Sequence, residues 1–243
     1  DRFDLRKDIR FNTFMEEARY DEKAARWTIR SKDGRVWSAQ YFVMCVGQLS
    51  SPKAPNYPGQ SEFKGEIIHS AVWPKNKVEF AGKRVAIIGT GSSGMQMTPI
   101  IAKEAKHLTV FQRTANFSIP ASNAPVSDEE DRQVKATYRE RREQAKNSPT
   151  GLGFKPNKQS ALDVSQEERD KVYEAAWHRL GYGFALSYFD ILLSKPANDT
   201  AAEFICKKIA SVINDPMVRE KLVPKGHAFA ARRPSVDSGY FQT

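Results

Sequence analysis

The sequence predicts a mixed α/β protein, and three observations carry this prediction. Short β-type segments joined by a hairpin turn occupy residues 1–47. A strand, a glycine-rich turn and a helix follow one another after Lys83. A long helical region takes over after residue 117. We therefore expect a β-rich part over residues 1–47, a linker over residues 48–82, and a domain over residues 83–243 with a helical insertion at about residues 120–225.

The first part is expected to be a β-meander. Alternating, β-branched and aromatic positions predict strands over residues 9–14, 27–30 and 36–46, and Asp33-Gly34 is typical of a hairpin turn. The last strand is expected to be buried. The residues after it, 47–50, lead into an extended connector fixed by three prolines, Pro52, Pro55 and Pro58.

A glycine-rich turn stands between an apolar strand over residues 85–88 and a helical pattern over residues 95–105. This context makes the GxGxxG pattern credible as a dinucleotide-binding turn. The first glycine permits the tight turn, the second lets backbone N–H groups approach a pyrophosphate, and the third lets the helix pack close to the strand. The sequence therefore predicts a Rossmann-like unit whose phosphate-binding residues are Gly89, Thr90, Gly91, Ser92, Ser93 and Gly94.

The end of the next strand, predicted over residues 108–112, indicates which dinucleotide is bound. An acidic residue at this place would pair with the ribose 2′-hydroxyl of NAD. Arg113 and Thr114 stand there instead. Because a guanidinium group pairs with a phosphate that a carboxylate would repel, the sequence favours NADP over NAD.

Capping patterns divide the helical region. Ser127 to Glu130 and Ser165 to Glu168 are predicted capping boxes, and residues 147–159 are predicted to form a loop. Asp199 is predicted to open a helix whose apolar face consists of Phe204, Ile205, Ile209, Val212 and Ile213. Another helix is predicted to begin at Asp215-Pro216 and to end before Pro224 and Gly226.

Composition indicates which partners and which kinds of site the protein is expected to lack. The 243 residues carry a net charge of +9, but the basic residues are spread along the chain. In the densest basic run, residues 139–142, arginines alternate with an acidic residue on what is expected to be the exposed face of a helix. We therefore expect no nucleic-acid partner, and the absence of a long apolar run predicts a soluble, cytoplasmic protein that does not enter a membrane. Cys45 and Cys206 are expected to be buried small hydrophobes, and the histidines show no metal-ligand spacing, so no metal is expected.

A second motif gives the chain a family resemblance. The linker contains an FxGxxxHxxxWP pattern, formed by Phe63, Gly65, His69, Trp73 and Pro74. With this fingerprint the chain resembles the type I Baeyer-Villiger monooxygenases, nearest to the cyclohexanone monooxygenase group. The resemblance extends over essentially the whole chain, through residues 47–50, 110–114 and 232–240.

The resemblance implies a reaction and two cofactors. Enzymes of this kind use NADPH to reduce a bound FAD, which captures O2 as a C4a-peroxide. The peroxide adds to a ketone carbonyl, and the adduct rearranges to an ester or lactone. Residues 1–47 would then be the end of an FAD-binding domain, and residues 83–243 would be the NADPH-binding domain with its helical insertion.

The resemblance also implies roles for individual residues. Arg233 matches the active-site arginine that steadies the peroxide anion and the reduced flavin. His69 is expected to form hydrogen bonds at a hinge rather than to transfer protons, and Phe63 and Trp73 are expected to be packing anchors. The pyrophosphate of NADPH is expected near Ser93, Gly94 and Gln96. Its 2′-phosphate is expected to contact Arg113, Thr114 and Arg232.

Related enzymes are longer than this chain at both ends. Before the position of Asp1 they carry a GxGxxG unit for the ADP part of FAD, and a further stretch follows the position of Thr243. We therefore expect a fragment or a truncated product, whose partner is the missing remainder of the flavin domain and which binds little FAD alone. Two alternatives stay open: an N- or S-oxidising flavin monooxygenase, and a non-catalytic NADP-binding module.

Overall fold

The computed structural model describes residues 3–47, 51–53, 55–148, 151, 153, 157–179 and 181–243. The chain divides into two compact units, Asp1–Trp73 and Pro74–Thr243. Positions 48–50 of the predicted connector, and several positions of the predicted loop over 147–159, lie outside the described residues. The domain boundaries expected from the sequence stay predictions.

The first unit contains a β-meander, as predicted, but its first strand lies at Met15–Asp21, which the sequence analysis did not predict. Three antiparallel strands pair in the order β1 (Met15–Asp21), β2 (Arg26–Ser31) and β3 (Val36–Ala39). The hairpin turn at Asp33-Gly34 is confirmed: Gly34 has a φ of 85°, and the Asp33 carboxylate accepts hydrogen bonds from Ser31 and Arg35. Short 3-10 helices lie at Leu5–Asp8, Gln60–Glu62 and Ser70–Val72.

Two strand predictions in this unit are wrong. Residues 9–14 are not a strand, and Asn12 has a φ of 52°, a left-handed conformation that interrupts an extended segment. The strand predicted over residues 36–46 ends at Ala39, and among the described residues none pairs with residues 41–46. Most apolar side chains of this segment are exposed, and only Phe42 among them is half-buried, with its ring 5.6 Å from that of Trp27. The expected buried strand is therefore not formed here. A strand is stable only when a neighbouring strand forms hydrogen bonds with its backbone N–H and C=O groups.

The second unit opens with the predicted strand, turn and helix. Strand β4 (Arg84–Ile88) leads to helix α1 (Ser92–Ala102), and β5 (His107–Phe111) returns parallel to β4. Helix α1 begins three residues earlier than the predicted pattern and ends at Ala102 rather than at residue 105. The carboxyl ends of β4 and β5, where Ile88 pairs with Phe111, therefore lie at one edge together with the start of α1.

A further pair of parallel strands was not predicted. Strand β6 (Ser118–Pro120) pairs with β7 (Ser235–Asp237), although the sequence indicated that strands stop after residue 117. In the described part of the chain between these strands lie α2 (Asp128–Ala136), α3 (Tyr138–Lys146), α4 (Gln166–Arg179), α5 (Lys195–Val212) and α6 (Pro216–Leu222). A 3-10 helix spans Gly181–Leu186.

Side-chain caps set several of these helix starts. The Ser127 capping box is confirmed in both directions, and the Ser165 hydroxyl accepts the Glu168 N–H at 3.2 Å. Asp215 caps α6 by accepting two backbone N–H groups, as predicted. Helix α5 begins at Lys195 rather than at Asp199. Its apolar face is buried as predicted, except for Val212, which is exposed.

The core of the second unit is an aromatic cluster between α4, α5 and the 3-10 helix. Tyr173 contacts Phe184 and Tyr188, with ring centroids 5.3 and 5.6 Å apart, and Phe184 stacks on Phe204 at 5.8 Å. Each such side chain contributes about 1.5–3 kcal/mol by burial. This cluster packs α4, α5 and the 3-10 helix closely together.

The two cysteines differ from the expectation. Cys45 is exposed, so its prediction as a buried hydrophobe is wrong. Cys206 is half-buried and its Sγ–H donates to the Pro224 carbonyl at 3.6 Å. Burial raises the pKa of the Cys206 thiol. In the part of the chain that the structure describes, no helix is long and apolar enough to cross a membrane.

Candidate functional site

The glycine-rich turn has the geometry that its sequence pattern predicts. Gly89 has a φ of 101°, and its N–H donates to the Phe111 carbonyl at 2.8 Å, so the turn starts at the carboxyl edge of both strands. A Cβ on Gly94 would lie 2.2 Å from the Gly89 carbonyl oxygen, and therefore only glycine lets α1 pack this close to the turn. A Cβ on Gly91 would meet no atom of the described residues within 4 Å. The space above Gly91 is open.

The start of α1 has backbone donors that no described residue uses. The Met95 N–H donates to the Gly91 carbonyl at 3.0 Å, and no side chain of the described residues caps the helix at Gly91. The N–H groups of Ser92, Ser93 and Gly94 precede the first helical hydrogen bond, where the helix dipole also places partial positive charge. Such an end can bind a phosphate group.

A positively charged residue, Arg113, lies at the same edge of the strand pair. Arg113 follows β5 and is exposed, and within the described ranges it forms no hydrogen bond or ion pair. Thr114 beside it is half-buried. Gln112 donates from Nε2 to the Lys221 carbonyl at 2.7 Å, which holds the end of β5 against α6. The guanidinium group of Arg113 is therefore available to an anion next to the turn.

Residues 229–234, here called the arginine segment because they contain Arg232 and Arg233, lie beside the residues that follow Arg113. Asn116 donates from Nδ2 to the Arg233 carbonyl at 2.9 Å, and the Ser235 N–H donates to the Phe117 carbonyl at 3.0 Å. Both arginine side chains are exposed. The guanidinium carbon of Arg233 lies 5.4 Å from the centre of the Tyr182 ring. The second unit thus brings the arginine segment alongside the segment that begins at the end of β5.

The fingerprint residues up to Trp73 belong to the first unit, and Pro74 begins the second. The Phe63 ring lies over Gly65, where a Cβ would come within 2.6 Å of ring atom Cε1. Glycine at position 65 is therefore needed for this ring position. His69 is half-buried and accepts the Ala71 N–H at Nδ1, at 3.2 Å, so it caps a short 3-10 helix. Its role at a hinge stays a prediction.

Three further residues support the arginine segment and were missed by sequence reasoning: Asn116, Tyr182 and Asn198. The Asn198 side chain is 6% exposed and forms hydrogen bonds of 2.9 Å with both the N–H and the carbonyl of Phe229. The partners of these residues at Phe229, Arg233 and Pro234 lie 31 to 117 positions away in the chain. No local pattern could have indicated such contacts.

A family model described as flavin-binding monooxygenase-like matches residues 1–123. The chain belongs to this family. The matched residues include the fingerprint, the glycine-rich turn and Arg113.

Curated relatives of this family member include enzymes with the expected activity. A Baeyer-Villiger monooxygenase of Pseudooceanicola batsensis is 41% identical over 245 residues, which cover 100% of this chain and 44% of that protein. A cyclohexanone 1,2-monooxygenase of an Acinetobacter species is 39% identical, over 100% of this chain and 45% of that protein. A phenazine N-monooxygenase of Lysobacter antibioticus is 38% identical, over 100% and 45%. The predicted resemblance to Baeyer-Villiger monooxygenases is confirmed.

Solved structures of similar proteins contain the expected cofactors. An oxidised steroid monooxygenase bound to NADP superposes with a TM-score of 0.94 at 48% identity, over 100% of this chain and 46% of that one. A protein called OTEMO, in complex with FAD and NADP, superposes with a TM-score of 0.92 at 38% identity, over 98% and 46%. This flavin-binding monooxygenase-like chain therefore spans less than half the length of the relatives that it matches.

Proposed function

We propose that this chain forms the NADPH-binding part, with its helical insertion, of a flavin-dependent Baeyer-Villiger monooxygenase that acts on a ketone with NADPH and O2. The observation that carries the NADPH site is the uncapped start of α1, open above Gly91, with Arg113 at the same edge of β4 and β5. This arrangement supports a Rossmann-like unit for an anionic dinucleotide. The fingerprint from Phe63 to Pro74 supports the Baeyer-Villiger assignment.

The residues of the strand-helix-strand unit fit the phosphates of NADPH. The N–H groups of Ser92, Ser93 and Gly94 would hold the pyrophosphate. The hydroxyl groups of Thr90 and Ser92 and the Gln96 side chain add further donors. The 2′-phosphate would be held by two guanidinium groups and a hydroxyl, those of Arg113, Arg232 and Thr114.

Arg233 is the proposed catalytic residue of this chain. When bound, FAD reduced by NADPH supplies the oxygen chemistry that converts a ketone to an ester or lactone. Negative charge develops in that reaction, and a fixed guanidinium group stabilises it where water is excluded. Arg233 fits this role because its backbone is held by Asn116 and, among the described residues, no acidic side chain pairs with its guanidinium group.

The rest of the flavin site would come from the part of the relatives that this chain does not span. The ketone substrate, the oxygen-transfer route implied by the resemblance and the remainder of the flavin domain as partner stay predictions. The cytoplasmic location and the absence of membrane or nucleic-acid partners also stay predictions.

Replacing Arg113 by alanine tests the NADPH site. A charge-assisted hydrogen bond contributes about 1.5–3 kcal/mol, so we expect Arg113→Ala to raise the Kd for NADPH about 10- to 150-fold and to change the Kd for NADH little. Arg84→Ala is the matched control, because Arg84 is an exposed arginine at the opposite end of the same strand pair. Both constants can be measured by fluorescence titration of the complete protein that contains this chain.

The comparison of the two cofactors decides the result. Equal losses of NADPH and NADH affinity in Arg113→Ala would contradict a contact to the 2′-phosphate. A loss of NADPH affinity in Arg84→Ala as large as that in Arg113→Ala would show a general charge effect instead.

A second candidate function is N-oxidation, because a phenazine N-monooxygenase is nearly as similar to this chain as the ketone-oxidising relatives. Both reactions consume NADPH and O2, so cofactor oxidation alone does not distinguish them. Product analysis after parallel incubation with cyclic ketones and aromatic amines does. Ester or lactone product supports the proposal, whereas N-oxide without ester supports the second candidate. A complete protein without flavin absorbance would indicate a non-catalytic module.

A further inference from the structure

We infer that Tyr182 is a positioning residue for Arg233: its ring holds the guanidinium group, and its hydroxyl group helps to place the ring. The inference rests on the proposed function in one respect, the catalytic role of Arg233. The contacts that carry it are independent of that role.

The backbone on both sides of Arg233 is fixed by distant elements. Asn198 on α5 forms hydrogen bonds with both the N–H and the carbonyl of Phe229, each at 2.9 Å. The Asn116 side chain donates to the Arg233 carbonyl at 2.9 Å, and β7 begins two residues later at Ser235. Between these points Ala230 has a φ of 64°. The Arg233 backbone therefore has little freedom, but these bonds leave its side chain free.

Tyr182 supplies the missing hold on the side chain. Its hydroxyl group donates to the Pro234 carbonyl at 3.1 Å, which places the ring next to Arg233. The Arg233 guanidinium carbon then lies 5.4 Å from the ring centre, within the range of a cation–π contact. One side chain thus contacts the backbone next to the arginine and the charged group of the arginine itself.

Tyr182 is in turn anchored in the helical part. It belongs to the 3-10 helix Gly181–Leu186, whose Phe184 is fully buried. The Phe184 ring stacks on Phe204 of α5 and meets the Phe229 ring edge-on, with both centroid distances at 5.8 Å. Because Phe229 belongs to the arginine segment, the same aromatic cluster fixes Tyr182 and the backbone that precedes Arg233.

An aromatic ring suits this task better than a carboxylate. Across the described residues no acidic side chain pairs with Arg233, so its charge is not neutralised. The ring attracts the guanidinium face and leaves the N–H groups at its edge free to donate. A carboxylate would hold the arginine as firmly but would occupy those donors. Tyr182 therefore restricts the position of the cation while preserving its field.

The test compares Tyr182→Leu and Tyr182→Phe in the complete protein that contains this chain. Tyr138→Leu is the matched control, since Tyr138 is an exposed tyrosine on α3, a helix without buried residues. The first readout is the Arg233 Nε–H resonance of arginine-labelled protein, assigned with Arg233→Lys. The second is ketone-dependent turnover, measured together with the KM for NADPH.

We expect Tyr182→Leu to move the Arg233 resonance toward that of a free arginine, because the ring current is lost. Turnover should fall about two- to fivefold, the effect of one exposed cation–π contact, with an unchanged KM for NADPH. Tyr182→Phe should keep the resonance close to its original position and most of the turnover. Tyr138→Leu should change neither quantity.

Three results would overturn the inference. The first is an unmoved Arg233 resonance in Tyr182→Leu, and the second is full turnover in that variant. The third is a Phe variant that behaves like the Leu variant, since the ring would then have no role. If the unaltered protein shows no ketone-dependent NADPH oxidation, the proposed function fails, and the resonances alone decide whether Tyr182 positions Arg233.

Discussion

Alanine at Gly94 and alanine at Gly91 are expected to have opposite effects, although both glycines belong to the same turn. At Gly94 the added Cβ would lie 2.2 Å from the Gly89 carbonyl oxygen and 3.2 Å from its carbonyl carbon. Both atoms are backbone, so no side chain can turn aside. The helix and the turn must separate by roughly 1 Å to restore a normal contact.

The expected loss of stability follows from two opposing effects. Overpacking of this kind typically costs about 1–3 kcal/mol, and a clash with backbone belongs at the upper end of that range. Alanine is better than glycine inside a helix by up to about 1 kcal/mol, and less in the first turn. We therefore expect Gly94→Ala to lower the free energy of unfolding by about 1–2 kcal/mol. For a unit of about 170 residues the Tm falls by about 2–4 °C per kcal/mol.

Gly91→Ala is the matched variant. Its Cβ meets no protein atom within 4 Å, and the φ of −74° suits any residue. Glycine is somewhat better than alanine at a helix N-cap, but alanine reduces the freedom of the unfolded chain by a similar amount, so the stability should change by less than about 1 kcal/mol. The new methyl group would occupy the open space proposed for the pyrophosphate. Loss of one charge-assisted N–H contact would then weaken NADPH binding at least about tenfold.

Thermal unfolding with and without NADPH measures both effects in the same samples. A ligand that binds only the folded protein raises its stability by an amount set by the ligand concentration and the Kd. Gly94→Ala should have a lower Tm without ligand, whereas Gly91→Ala should keep its Tm and lose most of the shift that NADPH causes. A Gly91→Ala variant that binds NADPH as tightly as the parent would refute the assignment of the phosphate site. An unchanged Tm in Gly94→Ala would refute the packing argument.

Two further predictions concern the helical part. Asn198→Ala leaves the Phe229 N–H, the Phe229 carbonyl and the Ile191 carbonyl without this partner, so we expect a loss of about 2–4 kcal/mol, measurable as a lower urea midpoint. Burial raises the pKa of Tyr173 to about 12. The folded protein therefore holds this proton more tightly than the unfolded chain, so stability should fall as the pH rises from about 10 to 12. In Tyr173→Phe, which also loses the bond to Thr200, urea midpoints should decline less over this pH range.

The parts of the fold that were predicted correctly depend on local chemistry. The Ser127 capping box involves residues three positions apart, and the Asp33-Gly34 turn needs only a glycine at a positive φ and a carboxylate beside it. The glycine-rich turn is also local, because Gly89 and Gly94 contact each other across five positions. Spacing in the sequence is sufficient to indicate features of this kind.

The wrong and missed elements depend on distant partners or on weaker signals. Strands β6 and β7 have three residues each and pair across more than a hundred positions, so neither produces a periodic pattern. Residues 41–46 have strand-type composition, but no strand among the described residues pairs with them. The start of α5 had a usable signal, since Ser194 is followed by Pro196 in the first turn, a typical helix beginning.

The same distinction applies to the candidate site. Arg113 could be predicted because it follows a strand that follows the glycine-rich turn, and this order places it at the carboxyl edge. Tyr182 and Asn116 could not, because their contacts to Pro234 and Arg233 span 52 and 117 positions. Sequence reasoning thus found the groups proposed to touch the cofactors and missed those that hold them in place.

Position, rather than the lack of an ionic partner, distinguishes the proposed site. Arg84 is exposed and forms no ion pair with any described residue, as is also true of Arg113. Arg84 begins β4, at the amino end of the strand pair, whereas Arg113 follows β5 at the end where α1 starts. At that end the guanidinium charge adds to the N–H groups that precede the first hydrogen bond of α1 and to the positive end of the helix dipole. An anion that carries phosphates at two separated points can bind the N–H groups of α1 with one phosphate and the Arg113 guanidinium group with the other.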